Sequence, residues 1–468
     1  MPATLISIDL GTTRLKVSSF STAGRLLAQV VKRHAAGDER ADGWWRDTTD
    51  ALRRLDTADV LGISLSGRAG VGVFVDRGGN VLADAWSDDR HAEQLARLRA
   101  WRTETGRPLS NYGAALVAKY AWLREHAIGR ARRCRLALYG KDFLLFRLTG
   151  AHCTDWSSGP DASAWDAALV RDWDLPAGLL PRPALPWQVA GRLTGAAARE
   201  TGLAVGTPVA VGAHDGVCAN VGAGAIGPGD YAITLGTHAV TRTISARAPA
   251  GATRFYAMPP DRHVIGGNAI LGGRALDWLL DISAGATDRE QAYREAESMA
   301  AAVPPGADGV SFLPFLGGQV APERRPHARA GFAGLRLGHG RGAMTRALFE
   351  GVGFAVADIV DQVATWCGAP NRIRLTGGGA ASPVWRQILA DILDHAVEAS
   401  DDAVEGRGAA IFLAVALGLY ADYAAAAAAM VPPGQRVEPG PAAAAAYRDL
   451  RARWHVVRDT MRALDGLR

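Results

Sequence analysis

Hydrophobic and polar residues alternate along two separate stretches of the chain, residues 6–17 (ISIDLGTTRLKV) and residues 231–243 (YAITLGTHAVTRT). Alternation with a period of two predicts β-strands, and in each stretch a Gly-Thr pair between the strand-forming runs predicts a tight turn. Two β-hairpins of the same design predict an internal duplication, with its boundary near residues 226–230.

Elsewhere, short apolar runs alternate with helical periodicity. Residues 60–67 (VLGISLSG) predict a buried strand, and residues 89–101 and 116–126 predict helices. The Pro-rich stretch at residues 175–189 (LPAGLLPRPALPWQV) breaks both periodicities and predicts a crossing over the surface. Strands that alternate with helices through most of the chain predict an α/β fold.

The composition indicates a globular protein of two or more domains, since 468 residues with 48% hydrophobic content can bury at least one large core. The net charge of +5 is small for this length and the basic residues are scattered, so we expect no nucleic-acid partner. No run approaches the ~18 apolar residues of a membrane span, and the N-terminus has no signal-peptide pattern. We therefore expect no membrane partner and a cytoplasmic location.

The cysteines are Cys134, Cys153, Cys218 and Cys367, which lie far apart and form no CxxC pair. Such spacing predicts neither a zinc site nor a disulfide framework. A reducing compartment is therefore expected, in agreement with a cytoplasmic location.

The turn of the first predicted hairpin carries groups suited to a phosphate ligand. Gly11 allows backbone N–H groups to come close, and Thr12 and Thr13 supply hydroxyl donors. Asp9, at the strand end, can hold Mg²⁺, which keeps most of its waters and takes few protein ligands. The alternative is an ordinary turn whose hydroxyls satisfy the backbone. The second Gly-Thr turn, at residues 236–237, favours phosphate binding, because two facing hairpins can hold a polyphosphate from both sides.

Two other nucleotide-binding motifs find no support. The chain contains no GxxxxGK[ST], which excludes a P-loop enzyme on its own signature. A GxGxxG occurs at residues 222–227, but its chemistry requires a helix to begin there, and Pro228 and Gly229 follow instead. A dinucleotide-binding site of the Rossmann type is therefore not expected.

Asp215 lies between an apolar run and a predicted helix at residues 216–221, in the sequence VAVGAHDGVCANV. Its glycine and alanine neighbours leave room beside the carboxylate for a substrate hydroxyl. The alternative is a helix N-cap, a common role of aspartate at a helix start. His214 is expected to pack or to cap, because no second histidine or acid stands at metal-binding spacing.

Three glycines, residues 377–379, follow a predicted strand and precede a helix that begins after Ser382, with Pro383 in its first turn. Glycines leave a flat backbone surface on which a planar base can lie. The alternative is a turn that needs a positive φ, and one or two glycines would satisfy it. Three in a row favour the approach of a ligand.

Taken in order, these segments resemble the FGGY family of carbohydrate kinases. The matching segments are the DxGTT opening, residues 119–126 (KYAWLREH), GAHDG, the LGT hairpin and TGGGAASPVWRQILAD. The resemblance runs from residue 5 to about residue 420. It implies an α/β fold of two ribonuclease H-like domains of the actin and Hsp70 type, with the active site in a cleft between them. The domain at residues 1–226 would bind the sugar and supply the base, and the domain at residues 227–468, which ends in a helix, would bind the nucleotide.

The resemblance also implies an activity, namely transfer of the γ-phosphate of ATP, with Mg²⁺, to a hydroxyl of a small sugar, sugar acid or polyol. Carried over residue by residue, Asp215 is the catalytic base and Asp9 helps to hold Mg²⁺. The implied ATP-binding residues are Gly11, Thr12, Thr13, Lys16, Gly236, Thr237, Gly273, Gly378 and Ser382. Of these, Gly378 and Ser382 match the adenosine pocket.

The sugar-contacting segment departs from the family pattern. Many members carry Ser-Gly-Gln-Met-His where this chain has SGRAG at residues 66–70, whereas Trp86, Asp88 and Arg90 fit the usual WxDxR pattern. The planar guanidinium of Arg68 suits a carboxylate, so an aldonate such as gluconate is one candidate substrate. The alternative is a solvated or structural arginine, with a ketopentose such as xylulose or a polyol as substrate. The expected substrate-binding residues are Arg68, Trp86, Asp88 and Asp215.

A second class of function is open from the sequence. The same fold type serves Hsp70-like and actin-like proteins and sugar-binding regulators that modify no sugar. Against this class, the chain has no separate peptide-binding domain and it keeps Asp215 and both Gly-Thr hairpins. A further departure from the family is Leu116, which replaces a small residue of the signature before Lys119. Homodimers are frequent in the family, so a homodimer is one expected assembly, although no segment indicates an interface.

Overall fold

The computed structural model describes residues 3–34, 39–55, 59–107, 109–160, 162–269, 271–283, 288–401 and 403–465, and it is a mixed α/β fold, as predicted. The strands are β1 (Thr4–Leu10), β2 (Arg14–Ser21), β3 (Leu26–Arg33), β4 (Val60–Gly67), β5 (Gly72–Val75), β6 (Val81–Ala83), β7 (Leu136–Tyr139), β8 (Cys153–Asp155), β9 (Arg182–Ala184), β10 (Val189–Arg192), β11 (Pro208–Ala210), β12 (Ala213–His214), β13 (Asp230–Leu235), β14 (Ala239–Ser245), β15 (Arg254–Met258), β16 (Arg262–Asn268), β17 (Ser311–Leu313), β18 (Gly331–Ala333), β19 (Arg372–Thr376), β20 (Val397–Ala399) and β21 (Gln435–Val437).

The helices are α1 (Ala41–Arg54), α2 (Ala92–Thr105), α3 (Asn111–His126), α4 (Ile128–Ala131), α5 (Gly140–Thr149), α6 (Ala167–Asp172), α7 (Gly195–Thr201), α8 (Asp215–Gly222), α9 (Gly273–Ser283), α10 (Arg289–Ala301), α11 (Arg341–Cys367), α12 (Pro383–Leu393), α13 (Val404–Ala416), α14 (Tyr423–Met430) and α15 (Pro441–Met461). Short 3₁₀ helices cover Ala307–Gly309, Gly378–Ala381 and Arg462–Leu464. None of the helices in the described part of the chain is both long enough and apolar enough to cross a bilayer.

The chain divides into two compact units. Unit 1 comprises Met1–Gly224, Tyr256–His263 and Ala403–Pro432, and unit 2 comprises Ala225–Phe255, Val264–Asp402 and Pro433–Arg468. The tip of the β15–β16 hairpin and the helices α13 and α14 therefore belong to unit 1. The functional domain boundary after residue 226 stays a prediction.

Unit 1 is built on a seven-stranded sheet in the order β10-β11-β4-β1-β2-β3, with β12 also paired to β4. β1 and β2 form the first predicted hairpin, in which Leu10 pairs with Leu15. β4 runs parallel to both β1 and β12, so that Asp9 lies opposite Ser66, and Ser66 lies opposite Ala213. Because parallel strands end at the same edge of a sheet, the loops after β1, β4 and β12 start side by side.

The sheet of unit 2 has the order β15-β16-β14-β13-β19-β20-β21. β13 and β14 form the second predicted hairpin, in which Leu235 pairs with Ala239. β13 has an antiparallel partner in β14 and a parallel partner in β19, just as β1 has in β2 and β4. Both predicted hairpins are confirmed, and the matching arrangement of their strands agrees with the predicted duplication.

Each unit has a hydrophobic core of its own. On β1, the alternating residues Ile6, Ile8 and Leu10 share one cluster with Trp44 and Trp45 of α1. In unit 2 the core surrounds α11, whose 27 residues are buried along most of their length. Burying a large apolar side chain contributes about 1.5–3 kcal/mol, so each unit has a substantial apolar contribution to its own folding.

Within unit 1, α8 and α13 pack in direct backbone contact. A Cβ atom at Gly222 of α8 would lie 1.8 Å from the carbonyl oxygen of Val404, and one at Gly408 of α13 would lie 2.0 Å from that of Cys218. Only glycine permits this separation. The contact fixes α8, which begins at Asp215, against a helix that itself packs on β1 and β4.

Two helix boundaries and one loop differ from the sequence prediction. α2 begins later than predicted, and α3 begins earlier, because Ser110 caps α3 by accepting the Gly113 N–H at 2.8 Å. The Pro-rich stretch is not wholly on the surface, since Leu175 and Leu179 are buried and the Leu179 carbonyl accepts the Ala137 N–H at 2.8 Å. Its leucines fill the space beside β7, so the prediction of a surface crossing is wrong for that part.

Candidate functional site

Asp9 is a buried acid near the end of β1, with 5% of its surface exposed. Its Oδ1 accepts a hydrogen bond of 2.7 Å from Ser66 Oγ on β4. Burial and then the negative charge of Glu405 raise the pKa of Asp9 to about 7; Asp215 adds to this rise, and Lys16 and Ser66 oppose it. A group of acids whose charges repel one another across a buried edge favours a bound cation.

The turn after Asp9 presents donors at its tip and a cation below it. The Gly11 N–H donates to the Arg14 carbonyl at 3.0 Å and closes the turn through the backbone, while Thr12 and Thr13 are exposed. Lys16 Nζ lies 3.7 Å from Glu405 Oε2 of α13. The backbone bond makes the threonine hydroxyls unnecessary for the turn itself, which favours the phosphate interpretation over the ordinary turn.

Asp215 is the first residue of α8, and the N-cap position belongs to His214. The alternative in which Asp215 is the cap residue is therefore wrong. A negative charge in the first turn of a helix is stabilised by the helix dipole. The side chain is 34% exposed, so it is accessible to a ligand.

Two groups contact the Asp215 carboxylate. The Gly216 N–H has two acceptor atoms near it, Asp215 Oδ1 at 2.6 Å and His214 Nδ1 at 2.9 Å, and these two atoms are themselves 2.9 Å apart. The Gly216 N–H donates to both atoms, so that it fixes the Asp215 carboxylate while His214 Nδ1, as the other acceptor, caps α8.

The His214 ring is held in an aromatic stack. Its centroid lies 4.0 Å from that of Tyr256 on β15 and 5.2 Å from that of Tyr112 on α3. The rings of Tyr112 and Tyr256 are 5.9 Å apart and nearly parallel. The prediction that His214 packs is confirmed, and its packing fixes the imidazole that contacts Asp215.

Arg68 is in an ion pair and is partly buried. Its Nη2 donates to Glu39 Oε1 at 2.6 Å, and the two side chains are 16% and 13% exposed. The same Glu39 oxygen accepts a hydrogen bond from Ser87 Oγ. Arg68 Nε is buried and has no hydrogen-bond partner among the described residues. A carboxylate of the chain itself therefore already neutralises Arg68, which favours the structural alternative over a free guanidinium.

Trp86 and Asp88 lie beside two cations. Lys119 Nζ donates to the Trp86 carbonyl oxygen and lies 4.9 Å from the centre of the Trp86 ring. The Arg90 guanidinium lies 5.3 Å from the same ring. Its Nε donates to Asp88 Oδ1 at 2.6 Å, and the hydrogen bonds from Arg90 lower the pKa of Asp88 to about 2.

Lys119 connects the Arg68 pair with the Trp86 region. Burial lowers the pKa of Lys119 to about 8, and the charges that act on it come from Glu39, Arg68, Asp88 and Arg90. We name the group formed by Glu39, Arg68, Trp86, Asp88, Arg90 and Lys119 the Arg68 cluster. The structure thus brings the predicted substrate-binding residues Arg68, Trp86 and Asp88 into one region.

The Arg68 cluster reaches the Asp215 region through the segment that departs from the family pattern. A Cβ atom at Gly70 would lie 3.4 Å from the Tyr112 ring, which stacks on His214. Leu116, the other departure, is buried, and a Cβ atom at Gly72 would lie 2.7 Å from its Cδ1. The large residue at position 116 is therefore accommodated by a glycine on β5.

In unit 2, the second Gly-Thr turn packs on the start of α9. The Gly273 N–H donates to the Gly236 carbonyl at 2.6 Å, and the Gly272 N–H donates to the Thr237 carbonyl at 3.0 Å. The Thr237 side chain is exposed. The predicted nucleotide-contacting residues Gly236, Thr237 and Gly273 therefore lie together at a helix N-terminus, a position that suits an anion.

The three glycines after β19 do not share one role. Gly377 has φ +85°, and a Cβ atom there would lie 2.8 Å from the Leu235 carbonyl oxygen; a Cβ atom at Gly379 would lie 2.8 Å from Leu235 Cβ. Turn geometry and packing thus account for Gly377 and Gly379. At Gly378 an added Cβ atom would meet no heavy atom within 4 Å, so Gly378 faces open space.

Ser382 has a structural role in the described structure. Its Oγ accepts the Trp385 N–H at 3.1 Å and caps α12, and it donates to Glu297 Oε1 of α10 at 2.6 Å. Glu297 Oε1 also accepts the Val384 N–H at 3.2 Å. The hydroxyl is therefore already engaged, and the adenosine role of Ser382 stays a prediction.

No group of three or more His, Cys, Asp or Glu side chains in the described ranges is placed to hold a metal ion on its own. Mg²⁺ is usually bound through one or two carboxylates together with the phosphates of its nucleotide. Asp9, with Glu405 and Asp215 acting on it, fits that mode of binding. Asp9 therefore stays the predicted Mg²⁺ contact.

Sequence reasoning missed Glu39 and Glu405. Neither lies in a motif, since Glu39 precedes α1 and Glu405 lies in the first turn of α13, far along the chain from the residues they act on. Only the tertiary structure brings them beside Arg68 and Asp9. For Glu405, the local signal in the sequence is an acidic residue at the start of a helix, followed by a glycine.

Comparison with known proteins identifies both halves of the chain. Residues 4–222 match the N-terminal domain of the FGGY family of carbohydrate kinases, and residues 226–417 match the C-terminal domain of the same family. The xylulose kinase of Escherichia coli (strain K12) is 30% identical over 421 residues, which are 83% of this chain and 84% of that protein.

Two further relatives agree with these matches. The gluconokinase of Bacillus subtilis (strain 168) is 27% identical over 463 residues, which are 90% of this chain and 88% of that protein. The crystal structure of xylulose kinase from Rhodospirillum rubrum superposes with a TM-score of 0.83 at 27% identity and covers 99% of both chains. The fold is accordingly the two-domain ATPase fold of the actin and Hsp70 type, as predicted.

Proposed function

Because this chain belongs to the FGGY family of carbohydrate kinases, which are phosphotransferases with an alcohol acceptor and ATP as donor, we propose that it phosphorylates a hydroxyl of a small neutral sugar. Asp215 is the proposed general base. The observation that carries this proposal is the Asp215 carboxylate, held by the Gly216 N–H beside His214 at the start of α8 in the same unit as Asp9 and the first Gly-Thr turn.

The proposed chemistry needs few groups. Asp215 takes the proton of the attacking sugar hydroxyl. The oxygen of that hydroxyl bonds to the γ-phosphorus, and the bond from this phosphorus to the ADP oxygen breaks. Catalysis of this transfer consists mainly of positioning and of stabilising charge. Thr12, Thr13 and Lys16 are the proposed partners of the phosphates in unit 1, and Gly236, Thr237 and Gly273 are those in unit 2.

Asp9 is the proposed Mg²⁺ contact. When bound, Mg²⁺ would neutralise negative charge on the phosphates during transfer. Burial of Asp9 beside Glu405 and Asp215 supports this assignment, because the acids disfavour one another without a cation. Ser66 Oγ orients the Asp9 carboxylate by donating to Oδ1.

The proposed substrate is a neutral sugar, such as a ketopentose, in preference to an aldonate. The Glu39 carboxylate neutralises Arg68 at 2.6 Å, so an incoming carboxylate would meet a guanidinium that is already paired. The curated relatives named above are a xylulose kinase and a gluconokinase, so they support a sugar or sugar acid without choosing between them.

A cytoplasmic location, with no nucleic-acid or membrane partner, completes the proposal. The four cysteines are free, and three of them are buried, which suits a reducing compartment. A homodimer stays an expectation from the family.

The test of the proposed function is ADP formation from ATP and Mg²⁺ over a panel of ketopentoses, polyols and aldonates. We expect one neutral sugar to stimulate ADP formation well above the rate without sugar. Stimulation by an aldonate alone would replace the proposed substrate class, and no stimulation by any member of the panel would argue against the kinase assignment.

Removing the Glu39 charge is expected to change substrate preference. In Glu39→Gln the Arg68 guanidinium loses its anionic partner, so kcat/KM for gluconate relative to xylulose should rise about tenfold or more, as one charge-assisted hydrogen bond allows. Glu39→Asp keeps the charge and serves as the matched control. An unchanged ratio in Glu39→Gln would show that Arg68 does not face the substrate.

Filling the open space at Gly378 is expected to weaken nucleotide binding. In Gly378→Leu the side chain would occupy the proposed adenosine surface, so KM for ATP should rise about tenfold, equivalent to ~1.4 kcal/mol, while KM for the sugar and the melting temperature stay near those of the wild type. Gly377→Leu is the matched control. Leucine is strained at the positive φ of position 377, so this variant should lower the stability of the fold. An unchanged KM for ATP in Gly378→Leu would exclude that surface.

A further inference from the structure

A buried ionic group lies in unit 1, outside the residues assigned to the substrates. Lys141 and Asp142 lie in the first turn of α5, and Asp155 ends β8; their side chains are 1%, 0% and 0% exposed. Lys141 Nζ is 2.5 Å from Asp142 Oδ1 and 2.9 Å from Asp155 Oδ1. Burying three ionisable groups is costly, so the group calls for a reason beyond stability.

The group continues toward the proposed base. Asp155 Oδ2 accepts the N–H groups of Ser157 at 2.9 Å and Ser158 at 3.1 Å, and it also accepts the Ser157 hydroxyl. Ser157 Oγ in turn accepts the backbone N–H of His214 at 3.2 Å. A continuous chain of contacts therefore runs from Lys141 through Asp155 and Ser157 to the residue next to Asp215.

The charges in this group favour one fixed arrangement. Burial alone would raise the pKa of Asp155, but Lys141 and the hydrogen bonds from Ser157 and Ser158 together lower it. Burial also raises the pKa of Asp142 to about 6 despite Lys141. Lys141 thus pairs with both carboxylates, and Asp155, as an acceptor, orients the Ser157 hydroxyl.

The position of His214 decides where Asp215 points. His214 ends the two-residue strand β12, which pairs with β4, and α8 begins at the next residue. The pairing described for β12 gives the His214 N–H no strand acceptor on the side away from β4. Ser157 Oγ accepts this N–H instead. A shift of this amide would move both the Nδ1 contact and the first turn of α8.

We propose that Lys141, Asp155 and Ser157 are positioning residues that hold the Asp215 base through the His214 amide. The proposal rests on the assignment of Asp215 as the base of the proposed kinase. None of the three touches a reacting atom. Their effect is on the alignment of the carboxylate with the attacking hydroxyl, a quantity to which transfer rates are very sensitive.

The test compares Ser157→Ala with Ser158→Ala in the full-length protein. Ser158 is a neighbouring buried serine that makes no hydrogen bond to the His214 amide in the described contacts, so its loss removes the same atom without breaking the step from Ser157 to His214. We expect Ser157→Ala to lower kcat by roughly 10–100-fold with KM for ATP within about twofold of the wild type. Ser158→Ala should keep kcat near the wild-type value.

A second comparison separates positioning from general damage to the fold. If Ser157 acts through Asp215, Ser157→Ala should lower the residual rate of Asp215→Asn little or not at all, because the two changes remove one function. Ser157→Cys, which keeps the volume but is a weak acceptor, should also lower kcat and covers the case in which the alanine variant does not fold.

Several outcomes would overturn the inference: equal kcat in Ser157→Ala and Ser158→Ala, full kcat in Ser157→Cys, or losses that add in the Asp215→Asn background. A wild-type protein without sugar-dependent ADP formation would instead contradict the proposed function, so the two failures are distinguishable.

Discussion

Asp215→Asn is expected to lower kcat by roughly 10²–10⁴-fold, the usual contribution of a general base, while the protein stays folded. The amide keeps the size of the side chain and can still accept the Gly216 N–H, but it cannot take the proton of the attacking hydroxyl. Because the acid is 34% exposed at a helix start, its replacement leaves the core intact. Steady-state rates with saturating ATP and sugar, together with circular dichroism, measure the two effects.

The matched control is Asp422→Asn. Asp422 caps α14 in the same unit by accepting the Ala425 N–H at 2.8 Å, and asparagine caps a helix as well as aspartate does. Its kcat should equal that of the wild type. Substantial turnover in Asp215→Asn would assign the base to another residue.

Asp9→Asn is expected to stabilise the protein without Mg²⁺ and at the same time to abolish most of its activity. The pKa of about 7 compared with 3.8 in a free side chain corresponds to an upper limit of about 4 kcal/mol for the cost of ionising Asp9 in the folded state. Asparagine can still accept the Ser66 hydroxyl and carries no charge to repel Glu405. The activity falls because the proposed Mg²⁺ contact is lost.

The pH dependence has a defined sign. Below the unfolded pKa of 3.8 Asp9 is protonated in both states, and its stabilising contribution is fully present; it is lost as the pH rises through the folded pKa of about 7. Urea unfolding of the wild type in a chelator should therefore show stability that falls between about pH 4 and about pH 7, and Asp9→Asn should lack that part of the fall.

Glu405→Gln provides the control for this pH effect. Since Glu405 is the largest charge that raises the Asp9 pKa, its removal should lower that pKa, so the fall in stability should be smaller and should end at a lower pH. Added Mg²⁺ should stabilise the wild type and leave Asp9→Asn unchanged. A variant less stable than the wild type at about pH 8 would contradict the account of Asp9 as a strained, cation-binding acid.

The sequence predicts those parts of the fold that depend on local patterns. The two hairpins follow from strand alternation around a Gly-Thr pair, and both are present at residues 4–21 and 230–245. The start of α12 follows from Ser382 and Pro383, which occupy the cap and the first turn. These features need only the chemistry of neighbouring residues.

The candidate site could be predicted only in part, because its residues meet through long-range packing. Asp9 is predicted from its place at a strand end before a Gly-Thr-Thr turn, and Asp215 from its small neighbours. Glu405 acts on Asp9 only because α13 returns to unit 1 late in the chain. Arg68 shows the same limit, since its partner Glu39 lies on another loop and favours the structural one of the two alternatives that the sequence leaves open. The sequence gives no pattern for an ion pair between loops.

Sugar kinase activity is measured by following the label of [γ-³²P]ATP in a reaction with the best neutral sugar of the panel. We expect the label in a sugar phosphate in the same amount as the ADP formed, and we expect Asp215→Asn to lose this product. Label in inorganic phosphate, with none in the sugar, would show an ATPase that transfers nothing to the sugar and would contradict the proposed function.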